Sequence, residues 1–173
     1  MYLDECGFSP SQPVNYSWTL ARQRRHIPYE NPQGRRINAL AALVRTADAE
    51  SLIWMTRPRT FRADDLVFFL NEALPCSTKL RVVVLDNASL HRNRVVRAAR
   101  RALREQGIVL YYLPPYSPEL NAIEPYFGVV KHHEMPARTY RTLPELDDAI
   151  DHAFASVEAR LITKQAQELC PCA

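Results

Sequence analysis

An α/β domain, a mixed five-stranded sheet with helices on both faces, is the fold class that these 173 residues predict. Three observations carry that expectation. The run LRVVVLDNA is almost entirely β-branched or leucine up to Asp86, the pattern of a buried strand. Apolar residues recur at helical spacing in three separate segments. The elements follow in the order β, loop, β, β, α, β, α, β, α, α, which packs most simply as a sheet between helices. One core is expected, because a chain of this length buries roughly 70% of its unfolded surface.

Taken in order, YLDECGF forms a short strand in which Asp4 and Cys6 share one face and Glu5 points to the other. A proline-bearing loop follows, with an irregular strand expected around Tyr16 to Leu20. INALAALVR (37 to 45) and SLIWMT (51 to 56) read as two strands joined across a polar turn, although the alanines and leucines of the first also suit a helix. ADDLVFFLNEAL is helical by the spacing of Leu66, Phe69, Leu70 and Leu74, with Asp64 or Asp65 as its cap and Pro75 as its stop.

After the LRVVVLDNA strand, a helix is predicted from Asn93 to Gln106, ending at Gly107. Its Arg97, Arg100, Arg101 and Arg104 form one stripe, opposite Val95, Ala98, Ala99, Ala102 and Leu103. IVLYYLP is the next strand. The helix beyond it carries Glu124, with Asn121 at capping-box spacing and Pro125 in the first turn. The last helix starts at the Thr142 and Glu145 box and buries Leu146, Ile150, Ala153, Phe154, Val157 and Leu161. Residues 165–173 are expected to be a flexible tail.

Lys and Arg number 22 against 19 acids, a formal charge of +3 that does not by itself imply nucleic acid. The distribution is more informative. Arg22, Arg24, Arg25, Arg35 and Arg36 cluster before the second strand, six arginines lie between 92 and 104, and the stretch from Glu145 to Glu158 is acidic. No run approaches the length of a membrane span, and the Met1 end lacks the succession of a signal peptide, so the expected location is cytoplasmic. Cys6, Cys76, Cys170 and Cys172 lack zinc-knuckle spacing and are read as reduced thiols.

Asp4, Asp86 and Glu124 are the candidate metal ligands. Magnesium prefers carboxylate oxygens, and two such ions about 4 Å apart can serve in-line phosphoryl transfer. Each acid also has a plainer reading: Asp4 as an ordinary strand residue, Asp86 as a strand end, Glu124 as a member of a capping box. Composition leaves that choice open.

The motifs LDECGF, the segment around Trp18, VVVLDNASLHRN and LPPYSPELNAIEPYFGVVK resemble the catalytic domain of mariner-like DDE transposases, especially the bacterial insertion-sequence branch, over nearly the whole chain. The resemblance implies a ribonuclease-H-like fold and a catalytic and metal-binding triad of Asp4, Asp86 and Glu124. It also implies two Mg2+ (or Mn2+) ions in the active complex, and cleavage of transposon ends with joining to target DNA. Double-stranded DNA would be the partner and a homodimer the active form. Ala122, Pro125 and Phe127 depart from the family pattern at single positions.

The family also carries an N-terminal helix-turn-helix region, whereas three residues precede Asp4 here. Two expectations follow: a separately encoded upstream polypeptide recognises the ends, or the chain is a truncated, inactive remnant with at most weak DNA binding. Asn87, His91 and Lys131 are candidates for second-sphere or phosphate contact, His91 having a capping or solvent-facing role as its alternative. Arg22, Arg24, Arg25, Arg35 and Arg36 are candidates for phosphate neutralisation. The arginine stripe on the 93 to 106 helix reads first as a solvated face, with DNA contact as its alternative. Trp18 and Trp54 read as packing residues.

Overall fold

The structure, a computed structural model, describes residues 1–11, 19–23, 35–47, 49–74, 79–135 and 138–169, the last four through their backbone alone. Trp18, Arg24, Arg25, Pro75, Cys76, Cys170, Cys172 and most of the irregular strand expected at 16–20 lie outside these residues. Thr19 and Leu20, at the end of that segment, are not in a strand.

Five strands, β1 (Tyr2–Phe8), β2 (Ile37–Arg45), β3 (Glu50–Arg57), β4 (Arg81–Leu85) and β5 (Ile108–Tyr112), form one sheet in the order β3-β2-β1-β4-β5. β1, β2 and β3 pair antiparallel, whereas β4 runs parallel to both β1 and β5. The helices are α1 (Ala63–Phe68), α2 (Arg94–Glu105), α3 (Glu124–Val129) and α4 (Leu143–Leu169). α1 and α3 each continue into a π-helical turn, Phe69–Ala73 and Val130–Glu134.

Two hydrophobic cores lie on opposite faces of the sheet. Cys6, Phe8, Ala39, Ala41 and Leu43 pack with α3 and α4, while Leu3, Leu40, Ala42, Val83 and Leu85 pack with α1 and α2. β2 is therefore covered on both sides, which explains why its sequence lacks polar alternation and also suits a helix. Phe154 of α4 is the aromatic hub: it stacks on Trp54 at 5.3 Å and meets Phe8 and Phe127 edge-on at 6.3 Å each. The indole N–H of Trp54 donates to Asp151, so Trp54 is a packing residue as expected.

Three local expectations differ from what folds. β4 is buried on one face only, and Val82 on its other face is 43% exposed. The buried stripe of α2 is Val96, Ala99 and Leu103, while Val95, Ala98 and Ala102 face out. The stems of neighbouring arginines cover enough of the helix that a narrow i, i+3, i+7 stripe suffices. Finally, α1 is capped at Arg62, and Asp65 reaches back from inside the helix to the Arg62 N–H at 2.8 Å. Asp65 is held there by Arg59, whose guanidinium at 2.6 Å keeps its carboxyl down at about 2.

Candidate active site

A fork in the sheet sets the position of the first two acids. The parallel ladder of β1 and β4 is registered at Tyr2 and Val84. Asp4 and Asp86 stand two residues beyond that pair, so by the strand period both return to one face. β4 ends at Leu85, and the gap beyond it is open. Glu124 arrives from a different direction. The 3-10 turn Pro118–Leu120 leads into α3, which starts at Glu124 with Pro125 in its first turn. The three carboxylates line a single cavity of about 430 Å³, together with Asn87, Asn121, Arg92 and the loop from Pro114 to Pro118.

Asp4 is half-buried, and one of its oxygens accepts the Glu5 N–H at 2.8 Å. Burial pushes its pKa up to about 6; Asp86 and Glu124 add to the rise, and the Glu5 N–H opposes it. The other oxygen accepts the Asn121 side-chain amide at 3.0 Å, which also reaches the Leu3 carbonyl at 3.4 Å. Asn121 is thus 1% exposed and serves Asp4. The expected capping box with Glu124 does not form: the cap position is Ile123, and no side chain caps α3. A buried amide beside a desolvated carboxylate gains more than one at an exposed helix end.

Asp86 is held from behind. One oxygen accepts the Ala88 N–H at 2.8 Å and lies 2.6 Å from Nδ1 of His91. His91 is fully buried rather than solvent-facing. Its Nε2 stands 3.5 Å from a Glu5 carboxylate oxygen, a charge contact in which neither atom completes a hydrogen bond. Burial lowers the imidazole pKa, but Glu5 and Asp86 together outweigh it and hold the group above its ordinary value. Glu5 does point away from Asp4, as the strand period requires, and in doing so reaches the residue that positions Asp86.

Asn87 lines the cavity and donates its amide to the Leu113 carbonyl, tying the end of β4 to the end of β5. Lys131 lies with its Nζ 5.5 Å from the Phe8 ring centroid and beside the Cys6 thiol, away from the cavity lining. Arg22 is exposed, with a positive φ of 69°. Arg35 donates to the Arg141 carbonyl at 2.5 Å. Arg36 lays its guanidinium where a Cβ on Gly7 would sit, so a larger residue at 7 would displace that side chain. The arginine that does line the cavity is Arg92. Its place beside His91 at the head of the 92 to 104 arginine run was the available signal.

Among the described residues, no three Asp, Glu, His or Cys side chains are grouped tightly enough as they stand to hold a metal ion. The donor set nonetheless suits a hard divalent cation: three carboxylates share one cavity, and Asp4 is raised first by burial and then by the charges of Asp86 and Glu124. Glu124 is the exposed member, and its rotamer can change without repacking the core.

Residues 1–147 match the sequence profile of a family described as DDE superfamily endonuclease. Among curated proteins none matches the chain in sequence. Three solved structures share its architecture. The Mos1 strand transfer complex aligns with a TM-score of 0.57 at 17% identity, over 96% of this chain and 50% of that one. The Mos1 transposase paired-end complex with left transposon end gives 0.62 at 20%, over 89% and 47%. The mariner Mos1 paired end complex with Mg gives 0.63 at 17%, over 96% and 51%. The shared feature is the fold, the ribonuclease-H-like mixed five-stranded sheet with its helices. The chain spans about half the length of these structures.

Proposed function

Because the chain belongs to the DDE superfamily endonuclease family, we propose that it is the catalytic domain of an insertion-sequence transposase of the mariner-like superfamily's bacterial branch. It cleaves phosphodiester bonds at transposon ends and joins those ends to target DNA. The observation that carries this reading is the single cavity shared by Asp4, Asp86 and Glu124, carboxylates brought from two neighbouring strands and a helix.

In this reading Asp4, Asp86 and Glu124 hold Mg2+ or Mn2+. A bound ion pair supplies Lewis-acid stabilisation to the attacking and leaving oxygens. The chain's own residues do the rest. Asn121 fixes one Asp4 oxygen, His91 fixes one Asp86 oxygen, and each carboxylate keeps a lone-pair direction toward the cavity. In cleavage, a water oxygen bonds to phosphorus as the bond to the 3′ oxygen breaks, freeing a 3′ hydroxyl. In joining, that 3′ oxygen attacks a target phosphate and displaces the target's own 3′ oxygen.

Double-stranded DNA is the partner on both sides of the reaction, and bringing two ends together calls for a homodimer. Asn87 supports the site, and Arg22, Arg24, Arg25, Arg35 and Arg36 neutralise phosphates. A cytoplasmic location belongs to the same reading; among the described residues no helix is long and apolar enough to cross a membrane.

Calorimetric titration of Mn2+ into the chain, Asp86→Ala and Glu124→Ala tests the ligands. Each substitution is expected to weaken binding at least about tenfold, as loss of a first carboxylate ligand does. Unchanged binding in both variants rejects the assignment. Cleavage of a terminal-repeat duplex, with and without an added upstream polypeptide, tests the reaction. Absence of cleavage by a folded protein in both arms points instead to an inactive remnant with at most weak DNA affinity.

A further inference from the structure

A second concavity adjoins the carboxylate cavity. It has a volume of about 360 Å³ and is lined by Arg92, Arg97, Arg100 and Tyr112. Arg92 lines both cavities, so the two lie side by side at that residue. From this geometry we infer that the arginine cleft binds consecutive phosphates of the DNA strand whose reacting phosphate enters the carboxylate cavity. The inference rests on the function proposed above and gives it a direction: the strand leaves the three acids along the start of α2.

Three features separate this cleft from an ordinary solvated helix face. The first is convergence. α2 carries arginines on several sides, and the register that buries Val96, Ala99 and Leu103 turns Arg97 and Arg100 toward Tyr112. The second is preorganisation. The Arg97 Nε–H donates to the Arg92 carbonyl at 3.0 Å, the Arg100 guanidinium lies 5.0 Å over the Tyr112 ring, and the Tyr112 hydroxyl donates to the His91 carbonyl at 2.8 Å. The cleft is therefore braced against the residue that holds Asp86.

The third feature is uncompensated charge. Six arginines fall between 92 and 104 without an acid, and Glu105, the next acid, is taken by Arg101 at 3.1 Å. Among the described residues no carboxylate pairs with Arg92, Arg97 or Arg100. Guanidinium stays charged at any physiological pH and presents a fork that matches phosphate oxygens. Next to a trio of carboxylates such a cleft also has a steering role: it offsets the repulsion a polyanionic strand meets on approach. An acidic peptide would satisfy the same guanidinia, but it would gain nothing from the acids next to them, which a strand lying across Arg92 into the carboxylate cavity uses.

The test compares Arg97→Gln/Arg100→Gln with Arg101→Gln/Arg160→Gln, which removes the same two charges from arginines already paired with Glu105 and Glu134. Fluorescence anisotropy of a labelled 30-base-pair duplex of arbitrary sequence, without divalent metal, is followed as salt is raised. Each lost phosphate contact lowers the slope of log affinity against log salt by about 0.9. The cleft variant is expected to lose roughly two contacts' worth of slope, and more than about tenfold in affinity at 100 mM salt. The control variant keeps most of both.

Equal slopes in the cleft variant and the unsubstituted chain overturn the inference, as does preferential loss of binding to a labelled poly-glutamate peptide with duplex binding intact. No duplex binding by the unsubstituted chain also overturns it. In all three cases the catalytic reading stands or falls separately, on the Mn2+ titration. Thermal unfolding of both variants guards against misfolding: a cleft variant that unfolds early is replaced by Arg97→Lys/Arg100→Lys, which keeps the charge but loses the fork. That variant must bind the duplex more weakly than the control variant, or the phosphate geometry is refuted.

Discussion

Asp4 is ionised at neutral pH against its surroundings. Its folded pKa of about 6 exceeds the ordinary carboxyl value of 3.8, so the folded state holds a proton that the unfolded state has released between those values. Stability therefore falls as pH rises through that window, and the cost is fully present above about pH 6. Two pKa units correspond to about 3 kcal/mol as an upper bound. Asp4→Asn is expected to be more stable than the unsubstituted chain at pH 7.5 in urea unfolding without divalent metal, with the gap closing by about pH 4. Added Mn2+ should close it from the other side, by stabilising the unsubstituted chain alone. A substitution that is neutral at pH 7.5 would mean that Asp4 is not the strained charge described here. Behind Asp86, Glu5 offsets the desolvation of His91, so Glu5→Gln should lower the His91 pKa, read from the pH dependence of its imidazole proton resonances. The acids were singled out by the motifs around them, LDECGF, VVVLDNASLHRN and LPPYSPELNAIEPYFGVVK, and not by their positions alone. Asn121 and Glu5 were not, because both have ordinary local readings and acquire their roles from residues more than 80 positions away.

Secondary structure is where local sequence spoke most directly. The Thr142 hydroxyl accepts the Glu145 N–H at 3.3 Å, as the spacing of the motif foretold, while the Glu145 carboxylate returns one residue further back, to the Arg141 N–H at 3.0 Å. Gly107 ends α2 at φ +77°, and a Cβ there would meet nothing nearer than the Lys79 carbonyl at 3.8 Å. Gly107→Ala should therefore cost the left-handed backbone penalty alone, about 1 to 2 kcal/mol by urea unfolding. A much larger loss would reveal a clash that this geometry does not contain. Where expectation failed, the failure was one of rotation. α2 was correctly bounded but turned by about one residue, since valines and alanines flank its arginines on several sides and periodicity alone does not choose among them. The choice falls to the sheet, whose Tyr112 takes Arg100 and whose core takes Val96 and Leu103.

The assembled molecule depends on β1 lying at the centre of the sheet. It pairs with β2 along its length and touches β4 only near its start, so the sheet is continuous below the acids and forked at them. The α4 side of that sheet converges on Phe154, which contacts aromatic rings from β1, β3 and α3. Phe154→Ala should cost about 3 to 5 kcal/mol in urea unfolding, the range for deleting a buried phenyl ring. A loss below about 1 kcal/mol would show that the two cores fold independently of that hub. The sequence order of strands was readable from hydrophobic runs, but their spatial order was not. Five short runs can pair in many ways, and the choice is made by which faces bury apolar area together.

The number and type of the elements were written in local chemistry, periodicity of 2 or 3.6 and turn residues, and the three acids stood out by the motifs around them. Only the folded chain decided which polar groups face one another: Asn121 on Asp4, His91 between Asp86 and Glu5, Arg92 joining two cavities. The reason is that hydrogen bonds and charge contacts act over a few ångströms in space with no regard for distance along the chain, so a residue's partner is known only when its neighbours have arrived.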